Sequence, residues 1–270
     1  MADAFPAHLF LVGCGNMAGQ MLRRWLACGL DPARVTVLRP SGKAVADGVA
    51  VVTVYPATLP ADCLILLGMK PQQLTDVAAS LAPLCRQDTP VLSILAGTTL
   101  SDLRHHFPAA GDIVRAMPNL PVGIGLGVVA LLADARSGEA ARATMNALAA
   151  PLGLVEWIAD EADLNAVTAL AGCGPAFLFR FVDALARAAE RIGIPADQAA
   201  RVALATVQGA AAMAADAQEG PAALADRVAS KGGMTREGLN VMDADERLVS
   251  LLTDTLAAAR DRGEAMAAGK

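Results

Sequence analysis

The sequence predicts an α/β protein in two parts, a doubly wound parallel sheet in residues 1–158 followed by an all-α region in residues 159–270. Two observations carry the division. Compact apolar runs alternate with helix-length segments as far as Trp157, the pattern of successive βαβ units. Beyond Trp157 almost every segment reads as helix. A third observation concerns what the helices cover. Of 270 residues 54% are apolar and 24 more are glycine, above the roughly 45 to 50% usual for the two together, while aromatics supply only 3%. The excess is Ala, Leu and Val, so a second buried surface, a subunit interface, is expected beside the ordinary core.

The first strand spans residues 8–12 and runs into Gly13, Cys14, Gly15, Asn16, Met17 and Ala18, a GxGxxA that opens a helix over 17–28. In that setting Gly13 permits the tight turn and Gly15 lets backbone approach a pyrophosphate. Ala18 allows close helix-to-strand packing, and the helix N-terminus faces the phosphates. This is the dinucleotide fingerprint of a Rossmann-type domain. The second strand, 35–38, ends without the acidic residue that would bond the ribose 2′-hydroxyl of NAD. Arg39, Ser41 and Lys43 follow instead, two cations and a hydroxyl suited to a 2′-phosphate, which favours NADPH while leaving NADH open.

Strands at 63–67 and 91–95 end in Gly68-Met69-Lys70-Pro71-Gln72 and Ala96-Gly97-Thr98-Thr99. Ligands of open α/β sheets sit beyond the carboxyl ends of the strands, so both loops should line the cofactor. Lys70 reads as a cofactor contact or a loop residue, with a catalytic role as the alternative, and Pro71 opens the next helix, 72–84. A helix over 100–107 leads to a strand at 113–115 and to Met117-Pro118-Asn119-Leu120-Pro121. That loop is rigidified by two prolines, and Asn119 either makes a polar shelf or serves a plain turn. A strand at 128–132 and a helix at 137–148 complete the first domain.

Helices are predicted over 163–192, with a kink at Pro175, and over 196–217, 221–229, 235–242 and 245–266. Between two of them lie Ser230, Lys231, Gly232, Gly233, Met234 and Thr235, where successive backbone N–H groups and two hydroxyls can face one anion, a carboxylate being the natural guest. The same loop also reads as a helix connection with Thr235 as N-cap, and the two readings are compatible.

Other chemistry is missing. His8, His105 and His106 lie away from the Gly-rich loops, and no nucleophile elbow, paired carboxylates or metal-ligand cluster is present. A net charge of −5 with scattered cations gives no footprint for nucleic acid, so a small-molecule partner is expected. No run approaches 18 uninterrupted apolar residues, so no membrane partner is read, and residues 1–7 lack a basic stretch and carry Asp3, so no signal peptide is read. Five cysteines without a CxxC pair point to neither zinc nor disulfides and suit a reducing cytoplasm.

Taken in order, VGCGNMA (12–18), MKPQ (69–72), ILAGTT (94–99), RAMPNLP (115–121), VTALAGCGPAF (167–177) and SKGGMT (230–235) resemble the pyrroline-5-carboxylate reductase family over nearly the whole chain. The resemblance implies an NAD(P)-binding Rossmann-type domain followed by a helical dimerisation and substrate-binding domain. It implies a homodimer through that domain, with a decamer as the larger assembly. The implied reaction reduces 1-pyrroline-5-carboxylate to L-proline, the last step of proline biosynthesis, by hydride transfer to a cyclic imine. By position, Ser230 to Met234 would bind the substrate carboxylate and the Thr235 hydroxyl the ring nitrogen. Gly13, Gly15, Asn16, Met17, Met69, Lys70, Pro71, Ala96, Gly97 and Asn119 would hold the cofactor, joined by Arg39 and Ser41 from the reading above.

The chain departs from the family pattern where Ala171 and Cys173 replace two serines and Lys231 replaces a proline. Two rival functions are reduction of another imine or a β-hydroxyacid, and dinucleotide sensing without catalysis. The β-hydroxyacid enzymes usually carry a lysine on the long helix of the second domain, and residues 163–192 contain none.

Overall fold

The structure, a computed structural model, describes residues 5–267; residues 1–4, where the N-terminal reading begins, and 268–270 lie outside the described residues. These fall into two compact units, one of residues up to 173 with those from 259 onward, the other Gly174–Ala258.

The first unit is built on one eight-stranded sheet with the order β3-β2-β1-β4-β5-β6-β7-β8. Its strands are β1 (His8–Val12), β2 (Val35–Leu38), β3 (Ala50–Val52), β4 (Cys63–Leu67), β5 (Val91–Ser93), β6 (Ile113–Pro118), β7 (Gly127–Ala133) and β8 (Gly153–Trp157). The helices between them are α1 (Asn16–Ala27), α2 (Leu74–Leu81), α3 (Leu100–His106) and α4 (Glu139–Ala149). Strand residues alternate between two cores, as side-chain period two requires. Leu9, Leu11, Leu64 and Leu66 meet Met21, Leu22 and Trp25 of α1 and Met145 and Leu148 of α4. Phe10, Val12, Ile65 and Leu67 meet Leu74, Val77 and Leu81 of α2 and Leu103 of α3. The sheet is thus covered on both faces, and Trp25 Nε1 donates to the Leu148 carbonyl at 2.7 Å, fastening α1 to α4.

Three expectations are corrected. The sheet is mixed, because β7 runs antiparallel to β6. The link between them, residues 119–126, is one 3₁₀ turn (Leu120–Ile124) closed by Gly125 at φ +75°, and a parallel return would need a crossover of about a dozen residues or more. The edge strands β3 and β8 are additions to the expected set: each is half exposed, β3 is only three residues long, and Glu156 interrupts the apolar residues of β8. The helix read over 72–84 is α helical only from Leu74 to Leu81, with a 3₁₀ turn at either end containing Pro71 and Pro83.

The helix read as kinked at Pro175 is two helices, α5 (Glu161–Val167) and α6 (Gly174–Arg191), separated by a π-helical turn, Thr168–Gly172. Pro175 lies in the first turn of α6, where its missing N–H costs nothing, so it starts a helix instead of bending one. The second unit continues with α7 (Ala196–Asp216), α8 (Pro221–Val228), α9 (Met234–Asp243) and most of α10 (Arg247–Ala267). Its interior is small, with Ala186, Ala199 and Ala203 buried where α6 meets α7. By length and composition alone the stretch Glu161–Arg191 could cross a membrane; little of it is buried within one copy, and it carries Arg180, Asp183, Arg187 and Glu190.

Candidate functional site

The Gly13 turn shows why this sequence folds as it does. Gly13 leaves β1 at φ +79°, and a Cβ there would stand 2.8 Å from Met69 Cα, so neither conformation nor space admits a side chain. Its N–H donates to the Leu38 carbonyl at 2.8 Å, and Gly68 N–H donates to Val12 at 2.9 Å, which draws the ends of β2 and β4 against the turn. A Cβ on Gly68 would stand 2.9 Å from Ala18 Cβ, so small residues at both places let α1 sit close on the sheet.

Gly15 differs. A Cβ there would meet nothing within 4 Å, and its φ of −80° suits any residue, so nothing inside the protein requires glycine. Gly15 is also the N-cap of α1, with no side chain capping the helix. Asn16 and Met17 therefore present open backbone N–H groups beside an exposed glycine, a cradle whose free space a side chain would fill. The residues fit the pyrophosphate of a dinucleotide on that ground.

The other cofactor-side residues gather at the same strand ends. Arg39 follows β2, half-buried, with Ser41 and Lys43 exposed beyond it. Burial pushes the Cys14 thiol up while Arg39 and then Arg23 pull it back, so cationic charge reaches the Gly13–Gly15 loop. Within the described residues no carboxylate pairs with Arg39. Met69 is half-buried, Lys70 is exposed, and Lys70 N–H donates to Gln73 Oε1 at 3.1 Å across Pro71. Ala96 is exposed beside Gly97 at φ +71°, and the loop closes on Thr99, which caps α3 in a reciprocal box with Asp102.

Asn119 follows β6 directly. Its side chain is buried, Nδ2 donates to the Ala171 carbonyl at 2.9 Å and Oδ1 accepts from Val128 N–H at 2.8 Å. Asn119 therefore braces the π-helical turn and the start of β7. Sequence reasoning also missed a half-buried ion pair, Arg115 Nη1 to Glu161 Oε1 at 2.6 Å, whose carboxylate also accepts from Leu100 N–H at 2.7 Å. No spacing rule links residues 46 apart, so only the fold brings them together. A cleft of about 310 Å³ beside Gly13, lined among others by Leu38, Pro40, Tyr55, Met69 and Asp76, was likewise unread.

In the second unit, residues 230–235 join α8 to α9. Gly232 takes φ +72° and Gly233 N–H donates to the Ser230 carbonyl at 2.9 Å. The N-cap of α9 is Gly233, which corrects the reading of Thr235 as cap; Thr235 is the second residue of the helix. With no side chain capping α9, the N–H groups of Met234 and Thr235 stay open, beside the exposed Ser230, Lys231 and Thr235 side chains. Arg236 ties α9 back to Asp226 of α8 at 2.7 Å. The histidines lie elsewhere: His8 Nε2 bonds Thr36 Oγ1 at 3.0 Å, and His105 and His106 sit on α3. Among the described residues no group of His, Cys, Asp and Glu could hold a metal.

Comparison with known proteins covers both halves. Residues 161–266 match the family model for pyrroline-5-carboxylate reductase dimerisation, and residues 9–97 match that for NADP oxidoreductase, coenzyme F420-dependent. A pyrroline-5-carboxylate reductase of Pseudomonas aeruginosa is 31% identical over 96% of this chain and 97% of its own length. One from Pisum sativum is 30% identical over 96% of each. The solved structure of a pyrroline-5-carboxylate reductase from Coxiella burnetii superposes with a TM-score of 0.89 at 29% identity, covering 97% of this chain and 98% of that one.

Proposed function

The chain belongs to the pyrroline-5-carboxylate reductase family, and from that premise we propose which of its residues do the work. The enzyme reduces 1-pyrroline-5-carboxylate to L-proline with NAD(P)H, and its dimerisation domain makes it a homo-oligomer. We place the functional boundary at 158/159, supported by β8 ending at Trp157 and the dimerisation match beginning at 161, although the compact units divide after Cys173 because Leu164 of α5 packs with Ala130 and Leu132 of β7.

The observation that carries the cofactor assignment is the uncapped α1 N-terminus behind a glycine that nothing inside the protein requires. Gly13, Gly15, Asn16 and Met17 hold the pyrophosphate, Arg39 and Ser41 the 2′-phosphate of NADPH, with NADH as the poorer donor. Met69, Lys70, Pro71, Ala96, Gly97 and Asn119 line the remaining length, the Asn119 side chain being held in place by its bonds to Ala171 and Val128. When bound, the nicotinamide supplies the hydride. The backbone of Ser230 to Met234 holds the substrate carboxylate, helped by the Lys231 ammonium, and the Thr235 hydroxyl bonds the ring nitrogen. A protonated imine is already electrophilic and can take its proton from solvent, so the protein's share is orientation. The remaining proposals are a decamer of dimers, a cytoplasmic location and no membrane or nucleic-acid partner. All five cysteines being free thiols supports the cytoplasmic location, with burial pushing Cys63 up to about 12 and Cys85 to about 11.

The primary experiment is steady-state oxidation of NADPH and of NADH with pyrroline-5-carboxylate; retained NADPH binding without turnover would instead make the chain a dinucleotide sensor. Two variants test the residue assignments. Thr235→Ala should lower kcat/KM by about 1 to 3 kcal/mol of transition-state stabilisation, the size of one lost polar contact, and an unchanged value removes Thr235 from the mechanism. Arg39→Asp should raise KM for NADPH by about tenfold or more and leave that for NADH within about twofold, since only the former carries the 2′-phosphate. Equal losses with both cofactors would place the 2′-phosphate elsewhere.

A further inference from the structure

The cleft beside the Gly13 turn holds polar groups that the phosphate-end assignment does not use. Its apolar lining comes from Val12, Leu38, Met69 and Val77, enough to sandwich a flat ring. Tyr55, the only tyrosine in the chain, is half-buried and packs against the same core as Val52 and Met69. Asp76 stands in the first turn of α2 and completes the lining. Gln73, the other long polar side chain there, is committed to Lys70 N–H. No hydrogen bond or ion pair engages the Asp76 carboxylate within the described residues. Burial, and after it the charge of Asp76, holds the Tyr55 hydroxyl above its ordinary range, so the phenol stays neutral with the carboxylate near it.

An acid in the first turn of a helix is ordinarily explained by the helix dipole. That explanation does not require the carboxylate to line a cleft beside the only tyrosine. With the purine of the dinucleotide seated in this cleft, we propose that Asp76 selects its exocyclic amine, making the site specific for adenine over a 6-oxopurine. An ionised carboxylate accepts hydrogen bonds and cannot donate them, so it favours an edge that offers N–H and repels one that offers a carbonyl oxygen. The charges then sort along the groove, with Arg39 following β2 for the phosphate and Asp76 on α2 for the base. This inference rests on the reading that NAD(P)H lies along the Gly13–Gly15 turn.

The test is calorimetric binding of NADP⁺ and of its 6-deamino (hypoxanthine) analogue to the intact oligomer, which needs no turnover. The wild-type protein should bind the adenine form about tenfold tighter or more, the effect of one hydrogen bond to a charged group. In Asp76→Asn the carboxamide can accept from the amine or donate to the carbonyl, so the ratio should fall to within about threefold, with Tm lowered by no more than about a few degrees because residue 76 is exposed and loses only its interaction with the helix dipole. Tyr55→Ala should weaken both forms by a similar factor, since a ring face does not distinguish N6 from O6. A wild-type protein with equal or reversed preference, or an Asp76→Asn variant that keeps the wild-type ratio, overturns the proposal. Failure of the wild-type protein to bind either form overturns the dinucleotide reading itself, and this proposal with it.

Discussion

Phe181→Asp is expected to break the oligomer and, with it, the fold of the helical unit. On α6, Leu178, Phe181 and Leu185 lie at i, i+3 and i+7 and remain 47%, 44% and 38% exposed in a single copy. Val182, Ala186 and Ala189 of the same helix pack with Ala199 and Ala203 of α7. One strip of α6 therefore packs within the chain, and the adjoining strip has no partner among the described residues. The same holds for Val202, Leu204 and Met213 on α7 and Val249, Leu251 and Leu252 on α10, all well exposed. A unit whose own buried core is three alanines cannot supply much stability from within one chain. Burying a Phe is worth about 1.5 to 3 kcal/mol, and a twofold-symmetric interface counts the change twice, before the cost of burying a carboxylate. A loss of at least about 4 kcal/mol, or three orders of magnitude in dimer dissociation constant, should follow. Light scattering after size exclusion should show the native mass reduced to that of one chain, or aggregation, with Phe181→Leu retaining the wild-type mass. An oligomer of unchanged mass and Tm in Phe181→Asp would place the interface on another face.

The second large effect separates two glycines that look alike in the sequence. Gly13→Ala must put a Cβ 2.8 Å from Met69 Cα at a φ of +79°, so strain and collision together should cost about 2 to 4 kcal/mol and lower Tm by several degrees. Gly15→Ser should do the opposite to stability. It meets open space, it has an ordinary φ, and serine is a preferred N-cap, so Tm should hold or rise slightly. Its side chain would nevertheless occupy the ground in front of the α1 N-terminus. NADPH affinity should therefore fall about 10- to 100-fold, the loss of one charge-assisted hydrogen bond. Thermal unfolding and direct NADPH titration of both variants suffice. Wild-type affinity in Gly15→Ser would mean that the phosphates do not pass over that residue.

The ends of β1, β2 and β4 were readable because a run of four or five residues, apolar but for His8 and Thr36, stops at Gly, Arg or Gly, and a strand covered on both faces needs such a run. β8 was not, because Gly153-Leu-Val-Glu-Trp157 is half exposed and neither continuous nor alternating in polarity. The direction of β7 was invisible to periodicity, which is the same for parallel and antiparallel strands. The segment 168–172 reads as ordinary helix, and its π-helical form comes with a bond from Asn119 to Ala171 that no local rule contains.

The sequence by itself determined the chemistry that depends on local backbone: the glycine turn after β1, the cations after β2 and the glycine-rich loop before α9. These are legible because conformation and hydrogen-bonding capacity belong to consecutive residues. Only the tertiary structure decided that Asn119 is a brace, that Glu161 joins Arg115 to α3, and that Tyr55 and Asp76 share one cleft. Those relations depend on side chains brought together from distant parts of the chain, and the pairing of strands and packing of helices on the sheet set their distances where sequence spacing does not.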